Sequence, residues 1–273
     1  MTHGSAGDAP AAARPSGVIV TDPPRAEAEH VAALRGYGVA TVHEAMGRTG
    51  SLGPGLRPVQ QDVRIAGTAV TALCRPGDNL MIHAAVEQCA EGDVLVVTTT
   101  SPSTDGMFGE LFATALQYRG VRGLVIDAGV RDTAELRAMG FPVWSAAVCA
   151  QGTVKATAGS VNLPVVVGGQ CIRPGDVILA DDDGVMCVPR RSAATAVEAA
   201  VARTAKEAAT RAAFAEGQLG LDRYGLRETL ARLGVRYQPY AEYAEDVRAE
   251  DVRAEAVRAE AVRVEDVRGG TVS

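Results

Sequence analysis

Aromatic side chains are scarce: the 273-residue chain has four Phe and one Trp, against a hydrophobic content of 47%. A core built from such a chain is packed mainly from Ala and Val, and the length allows one or two globular units of that kind. Long apolar runs are missing too. The most apolar stretches, such as Val94 to Val97 and Val165 to Val167, fall far short of the ~20 residues that span a bilayer. There is no excess of basic residues, and the net charge of −6 argues against general binding to a phosphate backbone. Membrane and nucleic acid are therefore poor partners on composition alone.

Signatures of several chemistries are also missing. The five cysteines, at 74, 89, 149, 171 and 187, include no C-x-x-C pair, and several lie in apolar strand-like runs. They read as buried free thiols in a reducing compartment. The four histidines, at 3, 30, 43 and 83, show no H-x-x-x-H spacing, and His83 sits among apolar neighbours where a structural role is expected. No cysteine has a histidine close in sequence, so Cys-His nucleophilic chemistry has no support. Gly-rich stretches at 47–55 and 168–169 match neither G-x-G-x-x-G nor the P-loop, and nucleotide cofactors are not indicated. The opening residues M-T-H-G-S-A-G-D-A-P lack the basic start and apolar stretch of a signal peptide, which makes the cytoplasm the expected location.

What the chain does contain is alternation. Residues 1–24, rich in Ala, Pro, Gly and Ser, read as a flexible lead, and 25–34 as a helix, with a short second helix over 41–46 and a surface loop over 47–55. Strands are expected over 63–75 and 93–99, with a helix carrying Leu80, Ile82, Val86 and Cys89 between them. The polar stretch S-P-S-T-D-G-M-F-G reads as a loop, 110–118 as a helix, and Leu124 to Asp127 as the end of a buried parallel strand that stops at a glycine-containing turn. A short helix to Met139, a strand over 142–148 and a β-rich layer over 163–188 follow, with a hairpin turn at Asp183-Gly184. Residues 190–217, dominated by Ala, should form a long helix. The order implies an α/β fold with β-α-β units.

From Ala244 to Arg268 the chain repeats a pentapeptide five times, as A-E-D-V-R, A-E-A-V-R and V-E-D-V-R variants. A five-residue period advances valine by about 140° per repeat on a helix of ~3.6 residues per turn, so no apolar stripe forms. An exposed, partly helical or disordered extension is expected, with an oligomerisation tail as the functional alternative. Residues 1–24, 25–238 and 239–273 thus read as lead, main domain and low-complexity tail.

Charged residues stand where strands should end. Glu110 opens a helix after one strand, and Arg131 and Asp132 follow the next. In a β-α-β unit these ends lie side by side, so Glu110, Arg131 and Asp132 can share one crevice. The backbone N–H groups of Gly109, Glu110, Leu111 and Phe112 at the helix start would face it and can hold a carboxylate or phosphate. The plainer reading is a helix cap and a surface ion pair. The D-D-D-G run at 181–184 has the look of a cation loop but lacks the other ligands of an EF-hand, and a solvated hairpin turn is the simpler expectation.

The run G-E-L-F-A-T-A-L-Q-Y-R-G-V-R-G-L-V-I-D-A-G-V-R-D, residues 109–132, resembles the 4-hydroxy-4-methyl-2-oxoglutarate/4-carboxy-4-hydroxy-2-oxoadipate aldolases. The resemblance extends through F-P-V-W-S, G-T-V-K-A-T-A-G-S-V-N-L-P-V-V and P-G-D-V-I-L-A-D-D-D-G-V-M-C-V-P, and covers about residues 30–238. The family's acidic residue, twenty residues and Arg-Asp pair are matched by Glu110, Arg131 and Asp132. The resemblance implies a layered β/β/α swivelling domain with N- and C-terminal helices, in a homotrimer or hexamer. It implies a Mg²⁺- or Mn²⁺-dependent pyruvate aldolase of aromatic-compound degradation, with oxaloacetate decarboxylation as a secondary activity through the same enolate.

By that resemblance Asp132 is the direct metal ligand, and Glu207 reaches a neighbouring subunit's metal through water. Arg131 contacts substrate, Glu110 supports a catalytic water, Lys155 lies near the site, and the N–H groups of Gly109 to Phe112 hold the pyruvyl carboxylate. The physical chemistry agrees: a metal chelated by the 2-keto acid stabilises the enolate as a Lewis acid, so no Schiff-base lysine is required. The alternative from the same fold family is a regulator of ribonuclease E acting by protein contact.

Overall fold

The computed structural model describes residues 17–269, which divide into two units, one running to Ala208 and one from Ala209. Residues 1–16 of the expected lead lie outside the described residues. In the first unit the elements run β1 (Val18–Ile19), α1 (Ala28–Leu34), α2 (Val39–Ala45), β2 (Arg57–Pro58), β3 (Ile65–Cys74), α3 (Leu80–Gln88) and β4 (Asp93–Thr99). There follow β5 (Gly106–Phe108), α4 (Glu110–Tyr118), β6 (Gly123–Val130), α5 (Thr133–Ala138) and β7 (Val143–Val148). Then come β8 (Ser160–Val161), β9 (Val165–Val167), β10 (Gln170–Ile172), β11 (Val177–Asp181), β12 (Gly184–Val188) and α6 (Ala193–Ala215), within which the two units divide.

The central strands β3, β4, β6 and β7 are parallel neighbours in that order, which fits their near-continuous Ala, Val, Ile and Leu content. Their side chains alternate between two buried layers, as a two-residue period requires. Leu95 and Val97 of β4 and Leu124 and Ile126 of β6 face a cluster shared with Ile82 of α3, Leu116 of α4 and Leu136 of α5. Val94, Val96, Val125 and the lone Trp144 face the opposite layer with Val167, Ile172, Ile178 and Val185. The sheet is thus sandwiched between helices and a second β layer, a layered β/β/α arrangement of the expected class. Trp144 is fully buried and donates its indole N–H to the Asp181 carbonyl at 2.8 Å, which removes the penalty of an unpaired buried donor.

Three readings of the sequence change here. Val18 and Ile19, within the stretch read as a lead, pair with β8 in parallel. The 47–55 loop is not merely superficial, because Leu52 is buried and Ser51 bridges to Met186. The strand expected to stop at Asp127 continues as β6 to Val130, and its last residues pair with β5, inside the stretch read as a loop. Gly129 is the reason: a Cβ there would collide with the Thr104 and Asp105 carbonyls, so its glycine serves close backbone approach and not a turn.

The second unit holds the end of α6, then α7 (Gly220–Arg223), α8 (Leu226–Arg232) and α9 (Tyr240–Gly269), which takes up the pentapeptide stretch. Within it, Phe214 and Tyr224 meet edge to face at 6.1 Å, and Arg223 donates to the Thr210 hydroxyl at 3.0 Å. No helix of the described residues is long and apolar enough to cross a membrane.

Candidate functional site

The topology brings Gly109 beside Arg131 and Asp132. β5 pairs in parallel with the end of β6, with Phe108 opposite Val130, and the Arg131 N–H donates to the Phe108 carbonyl at 2.9 Å. The residues that follow these two strands therefore emerge together at their carboxyl ends. Asp132 adopts a left-handed backbone conformation, φ 56° and ψ 40°, uncommon for a residue with a side chain. This turns its carboxylate onto the start of α4, where Oδ2 accepts the Glu110 N–H at 3.2 Å. Gly109 makes room for it, since a Cβ there would collide with Asp132 Oδ2. The Arg131 guanidinium lies 3.7 Å from the same oxygen, with both side chains partly exposed.

These groups edge a cavity of about 300 Å³ lined by Gly109, Leu111, Phe112, Arg131, Asp132 and Lys155. The twenty-residue spacing between Glu110 and Arg131 thus corresponds to one α4–β6 passage that returns the chain to its starting point. Leu111 and Phe112 belong to the first turn of α4, whose N–H groups have no intrahelical acceptor. Lys155 is placed by its neighbours: the buried Asp78 carboxylate accepts the N–H groups of Ala156 at 2.9 Å and Thr157 at 2.7 Å. Its other oxygen accepts the Leu80 N–H at 2.9 Å, which fixes that segment to the start of α3.

Two expected roles look different in the folded chain. The Glu110 carboxylate is not part of the cavity lining, because it accepts the Thr114 hydroxyl at 2.8 Å along its own helix; its backbone N–H is what faces Asp132. Glu207 lies on α6 and does not line the cavity of its own chain. It accepts from Arg203 Nε at 2.7 Å and from the Thr41 hydroxyl at 3.3 Å.

Two further cavity residues carried no strong sequence signal. Asn79 is buried and donates Nδ2–H to the Met107 carbonyl at 3.1 Å, while its Oδ1 has no hydrogen-bond partner among the described residues. His83, expected to be structural, lines the cavity and packs against Phe112 in a tilted arrangement, with ring centroids 4.4 Å apart and planes at 50°. Desolvation, and secondarily the Lys155 ammonium, hold its imidazole below the ordinary histidine range. Neither could be found from motif spacing, since each is defined by what α3 packs against.

The D-D-D-G run is committed to structure. Asp181 accepts the Val39 N–H at 2.9 Å at the start of α2 and the Asp183 N–H at 3.0 Å, and Asp182 accepts the Asp62 N–H at 3.0 Å. Asp181 pairs with Gly184 across the β11–β12 hairpin, so the turn is centred on Asp182-Asp183, one residue earlier than the sequence suggested. The cysteines also divide: Cys74, Cys89 and Cys187 are buried, whereas Cys149 is half-buried and Cys171 exposed, so the reading of all five as buried thiols is corrected.

The profile of the RraA-like family, described as aldolase/RraA, matches residues 39–187, more than half of the chain and including every strand around the cavity. The chain belongs to the RraA-like family. Among RraA-like proteins, one of Halalkalibacterium halodurans, provisionally named a 4-hydroxy-4-methyl-2-oxoglutarate aldolase, is 26% identical over 200 residues, 73% of this chain and 95% of the relative. A protein of Burkholderia multivorans with the same provisional name is 37% identical over 142 residues, 52% of this chain and 86% of its own. The structure of Streptomyces coelicolor RraAS2, described as an unusual member of the RNase ES inhibitor RraA protein family, superposes with a TM-score of 0.61 at 27% identity. It covers 68% of this chain and 98% of its own.

The side chains at the RraA-like cavity allow one test for a divalent metal. Among the described residues no group of three or more His, Cys, Asp or Glu side chains could hold a metal ion, which does not suit a closed transition-metal site. A single exposed-edge carboxylate, Asp132, suits a hard cation that keeps most of its waters. Asn79, whose buried Oδ1 has no donor among the described residues, lines the same cavity. The residues present therefore fit a hydrated Mg²⁺- or Mn²⁺-type ion.

Proposed function

We propose that this cavity cleaves 4-hydroxy-2-oxo acids by retro-aldol chemistry, with 4-carboxy-4-hydroxy-2-oxoadipate giving pyruvate and oxaloacetate and 4-hydroxy-4-methyl-2-oxoglutarate giving two pyruvates. The observation that carries the reading is the meeting of Asp132, Arg131, Lys155 and the first turn of α4 at one cavity. Such substrates carry two or three carboxylates, and a cavity edged by a guanidinium, an ammonium and helix N–H groups recognises them by charge and hydrogen bonding. Asp132 would hold Mg²⁺ or Mn²⁺, with Glu207 of a neighbouring copy reaching that ion through water in a trimer or hexamer. When bound, the cation supplies Lewis acidity toward the 2-keto oxygen.

The chain's own residues account for the rest. Arg131 stabilises the negative oxygen that develops as the C3–C4 bond breaks and favours ionisation of an adjacent water that takes the 4-hydroxyl proton. The N–H groups of Leu111 and Phe112 orient the pyruvyl carboxylate, and the Glu110 N–H, donated to Asp132 Oδ2, holds the Asp132 carboxylate in place at the cavity. Lys155 contributes positive charge; it is exposed and lacks the apolar enclosure on which Schiff-base lysines depend. Loss of carbon dioxide from oxaloacetate leaves the same enolate and is the expected second activity. A cytoplasmic enzyme of aromatic-compound degradation fits these products.

The second reading, a regulator acting by protein contact, is favoured by the name of the S. coelicolor relative. Pyruvate release from 4-carboxy-4-hydroxy-2-oxoadipate and from oxaloacetate, with added Mg²⁺ or Mn²⁺ and with EDTA, separates the two. Turnover that disappears on chelation and returns with metal is expected, and Asp132→Ala should lower it by roughly 10²–10³-fold with the fold retained. Turnover that survives EDTA, or none in the presence of either metal, overturns the proposal.

A further inference from the structure

A second cavity, of about 510 Å³, holds three arginines, Arg173, Arg190 and Arg191, between three prolines, Pro24, Pro174 and Pro189. Among the described residues none of these arginines forms an ion pair with a carboxylate. One carboxylate, Asp176, does line the cavity, but both of its oxygens are already engaged by main-chain donors. Oδ2 accepts the Arg173 N–H at 2.9 Å and Oδ1 the Arg190 N–H at 2.8 Å, and the Cys187 thiol lies 3.8 Å from Oδ2. Asp176 is buried and clamps together the two segments that carry the arginines, of which Arg173 and Arg191 are exposed and Arg190 half-buried, with Arg173 Nη1 3.7 Å from Cys171 Sγ.

The walls are fixed as well. Gly175 has φ +87°, and a Cβ there would collide with the Pro24 carbonyl and crowd Arg190 Cδ at 3.4 Å, so only glycine lets the 24 segment close against this loop. Prolines restrict the backbone on three sides. Three arginines at one cavity with a single carboxylate, itself committed to main-chain donors, on a chain whose net charge is −6, are a local feature and not part of a generally basic surface. Paired donors of a planar guanidinium match the oxygens of a phosphate or carboxylate, and the volume accommodates more than one such group.

We propose that this cavity binds a small molecule bearing two or more oxyanion groups, separately from the aldolase cavity and whether or not the aldolase reading holds. Two sources share that chemistry, a phosphorylated compound and a polycarboxylate. Inorganic pyrophosphate and tricarballylate, titrated calorimetrically into the full chain at low ionic strength, distinguish them. The wild type and Arg131→Ala, which alters only the first cavity, should saturate with at least one probe. Arg173→Ala combined with Arg191→Ala should bind at least about tenfold more weakly, given ~1.5–3 kcal/mol for a hydrogen bond to a charged group. Circular dichroism checks that this variant folds, and the matching Lys pair, which keeps charge but loses the fork, should fall between the two. Absence of saturation with both probes in the wild type, unchanged affinity in the double Ala variant, or loss of binding in Arg131→Ala overturns the assignment.

Discussion

Replacing Asp78 with Ala removes the one buried carboxylate that anchors the Lys155 segment, and the effect can be worked from its contacts. Three backbone N–H groups, of Leu80, Ala156 and Thr157, donate to it at 2.7–2.9 Å. Two backbone bonds support the same junction, Val154 N–H to the Gly77 carbonyl at 2.9 Å and Asn79 N–H to the Val154 carbonyl at 3.0 Å. Hydrogen bonds to a charged group are worth ~1.5–3 kcal/mol each, so three would sum to about 4.5 kcal/mol or more if independent. Ala156 and Thr157 are exposed, water replaces part of what they lose, and bonds to one carboxylate are not additive, so a loss of about 2–4 kcal/mol is expected. Burial alone would raise the Asp78 acid, but the N–H donors and the Thr157 hydroxyl outweigh it and hold the group below the usual aspartate range. A depressed folded value means that the contribution is complete above the ordinary aspartate pKa of about 3.9 and is lost as pH falls through the lowered value. The gap between wild type and Asp78→Ala in urea unfolding should therefore be full at neutral pH and shrink in strong acid. Hydrogen exchange at Ala156 and Thr157 should accelerate, and turnover should fall as Lys155 loses its position. Asp78→Asn keeps one acceptor but turns an NH₂ toward donors, so it should recover no more than about half of the loss. A difference below about 0.5 kcal/mol, unchanged exchange at both amides, or a gap that widens in acid would refute this account.

Three other outcomes follow from the same geometry. Gly109→Ala should displace the Asp132 carboxylate and lower turnover by about 10–100-fold while the unfolding midpoint barely moves; wild-type turnover would show that Asp132 needs no such room. In an NMR titration His83 should have its midpoint below the ordinary ~6.5, and Lys155→Met should restore less than half of the depression, because desolvation is the larger cause. A midpoint at or above that of free imidazole would refute the stated environment; with the folded value depressed, the contribution of His83 to stability is lost as pH falls through it. Burial pushes Cys74 and Cys89 up to about 12 and raises Cys187 further, so alkylation at pH ~8 should reach Cys171 and Cys149 quickly and spare the other three. With raised folded values, the stability tied to the three neutral thiols is complete below the ordinary thiol range and declines as pH rises toward 12.

The regular elements were legible where burial pattern and local preference agree. The expected strand 93–99 and helix 110–118 coincide with β4 and α4, because one is β-branched and bounded by turns and the other is an unbroken apolar helical face opened by glutamate. Short elements were not legible. β5 is a strand only because the end of β6 lies beside it, and no pattern in three residues announces such a partner. Gly129 looked like a turn residue for the same reason: close approach of another backbone is invisible in a linear chain.

The site shows the same division at the level of side chains. A spacing of twenty residues between an acid and Arg-Asp encodes the length of one helix and one returning strand, so it identifies segments that meet. It does not encode rotamers. Glu110 turned its carboxylate to Thr114 and offered its amide to Asp132, while Asn79 and His83 entered the cavity from α3 with no motif of their own. The left-handed backbone at Asp132 joins the two levels: it holds a charged residue in an uncommon conformation because the α4 amide, the Gly109 gap and the end of β6 together determine it. Strain of that kind persists only where neighbours enforce it. Spacing therefore identifies the segments that meet, and the fold supplies the backbone conformation that orients Asp132.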